Sequence, residues 1–205
     1  MKTEKWLNKK TLIMDKIFNE MSHSQSFFEM IKVSDNRQNI EFIIEFLMGA
    51  IKLDEDKIFI DYVLWLEDVL VNRNLKKDDF VFLLKKIKSI ISEFNEEEDV
   101  TYLFDKCIKK VKTDSKDFFS SYHKVKETKY SKKFLNYLLK KDRISAQKMI
   151  LDLVDEGKNI EDIYKNIFMK SLIMTGKLWQ TNEITIADEH YNTAVIQSII
   201  GKLYP

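Results

Sequence analysis

Proline occurs once in the 205 residues, at the last position, and glycine four times. Both are far below ordinary usage, so few tight turns or helix breaks can be built from this chain. A single cysteine, Cys107, excludes an intramolecular disulfide and fits a reducing compartment. It lies in the helical pattern Tyr102-Leu103-Phe104-Asp105-Lys106-Cys107-Ile108, where a small buried thiol is expected and no base stands beside it to activate a nucleophile. No apolar run approaches about 18 residues, and the start Met1-Lys2-Thr3-Glu4-Lys5 is not that of a secretory signal. A cytoplasmic protein without a membrane partner is the expectation. One-sided charge is also missing: 34 Lys and Arg against 33 Asp and Glu leave a net charge of +1, which offers no field to attract nucleic acid. The Lys-rich stretch from Lys106 to Lys133 carries Phe118, Phe119, Tyr122 and Tyr130, but Asp114, Asp117 and Glu127 recur within it, so it reads as a solvated face. The acidic knot Glu93, Glu96, Glu97, Glu98 and Asp99 reads the same way.

What is present is helical throughout. Hydrophobic residues make up 44% and charged residues 33%, the balance of a soluble protein, and the apolar positions recur at three-and-four spacing. Trp6, Ile13, Ile17 and Met21 trace one helix, and Ile40, Ile43, Ile44, Leu47 and Ile51 a second. Ile58, Tyr62, Trp65, Leu66 and Val69 trace a third that closes near Arg73-Asn74. A fourth is predicted to start at Asp78 or Asp79 as N-cap and to carry Phe82, Leu83, Leu84, Ile87, Ile90, Ile91 and Phe94. One or two more fall between Glu96 and Lys124. Tyr62 and Trp65, an aromatic pair at helical spacing, count as packing residues.

The polar stretch from Lys126 to Ser131 marks a boundary, giving an amino-terminal helical bundle over residues 1–128 and a second unit over 129–205. The second unit has four helical segments, about Lys132 to Lys141, Ile144 to Glu156, Ile160 to Gln180 and Ile186 to Lys202. Gly157 stops the second, Asn159 with Asp162 can cap the third, and Thr185 with Asp188 resembles a capping box at the fourth. Short connections make them antiparallel neighbours, so an all-α protein ending in a four-helix bundle is predicted. Ile160, Ile163, Tyr164, Ile167, Met174 and Leu178 form the expected core face of the third helix. Trp179 is rotated about 100° from Leu178 and can project past the bundle. Glu189 and His190 fall near the start of the fourth helix, across the Gln180 to Ile184 turn from Trp179. An aromatic wall, a carboxylate and an imidazole thereby converge at one end, where a planar cofactor could dock.

The run from Gly176 through Lys177, Leu178 and Trp179 to Glu189-His190, with ten residues from Trp179 to Glu189, resembles a cobalamin-domain signature. The whole region from about Tyr130 to Pro205 is similar to the four-helix cap that lies over the upper face of the corrin ring in methionine synthases, corrinoid methyl carriers and cobalamin-dependent light sensors. The likeness includes the Lys141-Asp142-Arg143-Ile144-Ser145-Ala146 turn and the Gly157 stop. It implies that Trp179 packs against the upper ligand of cobalamin and that Glu189 and His190 contact that ligand or the corrin edge. Gln180 takes the position where some light sensors place a cobalt-ligating histidine. An amide is a poor cobalt ligand, which speaks against a bis-histidine adduct here. Lys170 stands where relatives commonly have proline. The segment from Phe59 to Arg73 is similar to helical sensory regions found ahead of such caps.

The family holds its cofactor mainly on a following Rossmann-like domain with an Asp-x-His-x-x-Gly loop. None of His23, His123 or His190 has a glycine three residues on. The expectation is therefore that this chain is a fragment or meets that domain in trans, and that alone it is without cobalamin. The resemblance implies the sensory and cap region of a cobalamin-dependent regulator, working with a signalling partner or a second copy. The helical part of a corrinoid methyl carrier and a cofactor-free interaction module are the alternatives. No phosphate loop, Cys-His metal spacing or activated nucleophile is present, so no catalysis and no metal site are expected.

Overall fold

The computed structural model describes residues 2–21, 36–94, 101–113 and 126–203. The chain divides into two compact units, Met1–Phe118 and Phe119–Pro205. Every regular element among the described residues is helical, with no strand. The acidic knot beyond Glu93, the aromatic residues Phe118, Phe119 and Tyr122, His23 and His123 lie outside the described residues, and so does the side chain of Trp6.

The first unit is built from α1 (Lys2–Met21), α2 (Asn36–Leu53), α3 (Asp56–Val71), α4 (Lys77–Phe94) and α5 (Thr101–Thr113). Its core interleaves one apolar stripe from each helix: Ile13 and Ile17, Ile43 and Leu47, Phe59 and Val63, Leu84 and Ile87, Phe104 and Cys107, all at or near zero exposure. Phe59 meets Phe104 edge-on at 5.0 Å, which joins α3 to α5. Asp56 strengthens that join from outside, accepting from Tyr102 at 2.6 Å and from Lys106 at 2.5 Å. Tyr62 is buried and stacks flat on Phe46 at 4.0 Å, in keeping with its reading as a packing residue, while Trp65 is half-buried beside it. Asn74 closes the α3–α4 turn with φ 70°, a left-handed position that asparagine tolerates. The predicted N-caps Asp78 and Asp79 are instead in the first turn of α4, which starts at Lys77. There their carboxylates still favour the positive end of the helix dipole.

The second unit contains α6 (Lys129–Leu139), α7 (Arg143–Asp155), α8 (Ile160–Ile163) running through a π turn (Tyr164–Phe168) into α9 (Met169–Gln180), and α10 (Ile186–Leu203). Thr128 and Ser131 form a reciprocal cap on α6, Asp142 caps α7 by accepting from Ser145 N at 3.0 Å, and Asn159 caps α8 by accepting from Glu161 N at 2.7 Å. Gly157 ends α7 at φ 78°, a conformation that costs a residue without Cβ nothing. Phe134, Leu138, Ala146, Ile150, Ile163, Ile167, Phe168, Ile196 and Ile199 make the core.

One predicted face is displaced. A 3.6-residue period continued from Ile163 and Ile167 would bring Met174 and Leu178 inward. In the structure the N–H of Met169 reaches back five residues to the carbonyl of Tyr164, so the π turn takes in one extra residue. Every later position is thereby advanced by one. Ser171 and Thr175 are buried at 1% and 0% exposure, and Met174 and Leu178 are left half-buried.

Candidate functional site

The site is the hairpin of α9 and α10 at its closed end. Below the end of α9, Thr181 N bonds back to Lys177 O at 2.9 Å and Glu183 N to Leu178 O at 2.8 Å, while Asn182 takes φ 61°. These bonds use up the last carbonyls of the helix and reverse the chain within five residues. The predicted box then starts α10: Asp188 N donates to Thr185 Oγ1 at 3.2 Å, and Thr185 N and Oγ1 donate to Asp188 Oδ2 at 3.0 and 2.7 Å.

This start is also tied down from the α6–α7 turn. Lys141 Nζ lies 2.5 Å from Asp188 Oδ1 and 4.5 Å from the centre of the Tyr191 ring, and the Tyr191 hydroxyl donates to Lys141 O at 3.0 Å. The hydrogen bond from Lys141, helped by the donors of Thr185, holds the Asp188 carboxyl far below the usual carboxylate range. Lys141 adopts φ 61° at the turn, so its backbone and side chain both serve the anchor.

On this frame Trp179, next to last in α9, is half-buried rather than standing clear of the bundle. Glu189 keeps 26% of its side-chain surface and His190 keeps 73%. Nδ1 of His190 is 2.7 Å from Glu189 Oε2, and Thr193 Oγ1 donates to Glu189 Oε1 at 2.9 Å. Both carboxylate oxygens are thus oriented from within α10, while the imidazole remains open to a ligand. Gln180 differs from the other three: it is 2% exposed, covered by the protein itself, and in this arrangement presents no surface to a ligand. The hairpin therefore brings Trp179, Glu189 and His190 to one end and turns Gln180 inward.

Two further polar residues lie deeper in the hairpin and were not singled out by sequence. Thr175 precedes Trp179 by one turn and Asn192 follows Glu189 by three residues, so each lies on the same side of its helix as the site residue. Both are fully buried, and Thr175 Oγ1 and both amide atoms of Asn192 have no hydrogen-bond partner. The signal available in sequence was that i, i+3 and i, i+4 relation, applied inward from the motif.

Among the described residues no cluster of three or more His, Cys, Asp or Glu could hold a metal, and no helix is long and apolar enough to cross a membrane. Cys107 is buried and its thiol is pushed up to about 12 by that burial, so it is protonated and inert at neutral pH. A half-buried indole, a partly open carboxylate and an exposed imidazole lie at the end of the helical hairpin. They make no closed pocket of their own.

Comparison with known proteins gives one match. No curated protein and no solved structure matches the chain. Residues 130–204 match a family model described as B12 binding domain, which spans all four helical segments of the second unit and both halves of the motif. Residues 130–204 therefore carry the match to the B12 binding domain family, a four-helix cobalamin-binding cap, and the match does not extend to the first unit.

Proposed function

We propose that this cap covers the upper axial face of a cobalamin held by a Rossmann-like domain, and that the chain is the helical part of a cobalamin-dependent regulator without catalysis of its own. The observation that carries the reading is the placement of Trp179, Glu189 and His190 at one end of a hairpin inside the family match. When bound, cobalamin would supply a cobalt–carbon bond that can be broken. The chain's own residues would shield it: Trp179 as the flat wall, Glu189 as an oriented acceptor and His190 as the exposed donor or acceptor at the rim. The regulatory reading is supported by the additional helical unit Met1–Phe118. A methyl carrier needs only the cap and the cofactor domain, so this unit favours the regulator.

The test supplies a cobalamin-loaded Rossmann-like domain, fused after Pro205 or added in trans, and compares wild type with Trp179→Ala, Glu189→Gln and His190→Ala. Weaker cobalamin retention or an altered corrinoid absorption spectrum, with helical circular dichroism preserved, supports the assignment. Variants that lower the melting temperature and leave the corrinoid untouched would show the three to be packing and capping groups. Methyl transfer from the loaded protein to a thiol acceptor would replace the regulator by the carrier.

A further inference from the structure

We propose that the π turn Tyr164–Phe168 is a register switch, and that Thr128, the residue capping the first helix of the cap, is its latch. This goes beyond the cobalamin reading and does not depend on it.

The π turn lies in the middle of a helical run from Ile160 to Gln180, with α8 leading into it and α9 out of it. A turn of this kind holds one residue more than the α-helical turn it replaces. Restoring the α-helical turn would rotate everything after it by about 100° about the helix axis and move it by about 1.5 Å along that axis. The sequence of α9 is suited to both positions. In the observed register the inward side is small and polar, Ser171 and Thr175, while Met174 and Leu178 are half-buried. In the other register Met174 and Leu178 continue the stripe of Ile163 and Ile167, which is the ordinary apolar face of an amphipathic helix.

Each register has something against it. The observed one encloses Thr175 Oγ1 without a partner. By helix rise, Thr175 stands about 7.5 Å before the end of α9 and Asn192 about 9 Å after the start of α10, so in the antiparallel hairpin the two are level. Three unpaired polar atoms, one on Thr175 and two on Asn192, are therefore gathered at one depth. A buried polar atom without a partner is unfavourable, and so is an apolar side chain left partly in water. The alternative register relieves Thr175 and buries Met174 and Leu178.

What holds the observed register is on the other side of the turn. The Thr128 hydroxyl donates to the carbonyl of Asn166, inside the π turn, at 3.1 Å. Thr128 Oγ1 also accepts from Ser131 N at 3.0 Å, and Thr128 N donates to Ser131 Oγ at 2.8 Å, so the latch residue is fixed by the start of α6. Thr128 is the residue through which the stretch leading into the cap would act on α9: pulling it from Asn166 frees the turn to close. The readout is at the other end of α9, where Trp179 would swing away from its present side of the hairpin.

The experiment uses the full chain without cofactor and measures thiol labelling of two single variants, Met174→Cys and Thr175→Cys; Cys107 is fully buried and labels slowly as background. In the wild-type background the thiol at 174 should label faster than the one at 175 by about tenfold or more. Removing Lys165, an exposed residue of the turn, takes out the one residue that the π turn absorbs, so an α-helical turn forms with the observed side still inward. That chain should keep the original order and no longer respond to Thr128→Val. Thr128→Val should shift both rates several-fold toward the reversed pattern, and Thr128→Ser should restore them. Ser131→Ala weakens the cap but spares the bond to Asn166, and should leave both rates as they were. The switch is wrong if Thr128→Val shifts the two rates as much in the chain lacking Lys165 as in the full-length chain, or if that shorter chain reverses the order, since without the extra residue there is no second register to reach. The latch is wrong if Thr128→Val changes neither rate, or if Ser131→Ala changes them equally.

Discussion

Glu189 Oε2 lies 2.7 Å from His190 Nδ1 while its other oxygen accepts from Thr193 at 2.9 Å, so a carboxylate in α10 orients the imidazole beside it. Oriented this way, the pair resists rotation at the rim of the hairpin. With a cobalamin-loaded partner domain, Glu189→Gln should therefore change the corrinoid spectrum less than His190→Ala. Neither should approach the loss of about 3–5 kcal/mol expected for truncating a buried aromatic such as Phe134. Chemical denaturation alongside corrinoid absorbance measures both. Equal destabilisation by His190→Ala and Phe134→Ala would remove the site reading.

The chain by itself should hold cobalamin weakly or not at all. The hairpin offers one wall, and tight small-molecule sites enclose most of the ligand surface. Equilibrium dialysis with free cobalamin checks this; a stoichiometric, tightly held corrinoid on residues 1–205 would contradict it.

Acid should loosen the start of α10. The Asp188 carboxyl is held below its ordinary value by Lys141 and Thr185, so its contribution is fully present above the unfolded value of about 4 and is lost as pH falls through the lower folded value. Asp188→Asn should melt lower than wild type at neutral pH, and the gap should narrow below about pH 4. Melting curves from pH 2 to 7 test it, and a gap that does not change with pH would show that the carboxylate charge has no part in the anchor.

Alkali should act on the first unit through Cys107. Burial pushes its thiol up to about 12, so the neutral thiol favours folding below the ordinary thiol value of about 8.5, and that advantage is lost as pH rises toward the folded value. Cys107→Val should flatten the fall in stability between about pH 8.5 and 11 relative to wild type. Identical slopes would mean that the thiol stays buried and neutral in the unfolded chain as well.

Asn192→Leu should raise the stability of the cap by about 1–3 kcal/mol, because it replaces two unpaired, fully buried amide atoms with apolar volume. Urea denaturation gives the sign directly, and a loss of stability would mean that the amide has a partner, such as ordered water, in solution.

Much of the molecule was legible from spacing alone. The scarcity of Gly and Pro with a 3.6-residue period determined an all-α chain, because apolar positions at that period fall on one face of a helix and on both faces of a strand. The Thr185–Asp188 box and the Asn159 cap could also be read directly, since a cap is a local contact between residues two or three apart. The motif from Trp179 to His190 was visible for the same reason: its parts flank one turn. Asp78 and Asp79 show the limit of that reading, since two adjacent acids suit either the cap or the first turn, and neighbouring backbone decides between them.

Tertiary structure alone decided which sides of α9 face inward. Periodicity assigns a face only while the helix keeps a constant number of residues per turn, and the π turn breaks that count at a place the amino-acid pattern does not mark. What sustains it is a hydroxyl 38 residues away in sequence, Thr128 on the carbonyl of Asn166. The same displacement buries Thr175 and leaves Met174 and Leu178 half outside. Local chemistry determined that helices form and where they end; the register of the helix that carries Trp179 depended on a contact that exists only once the unit has folded.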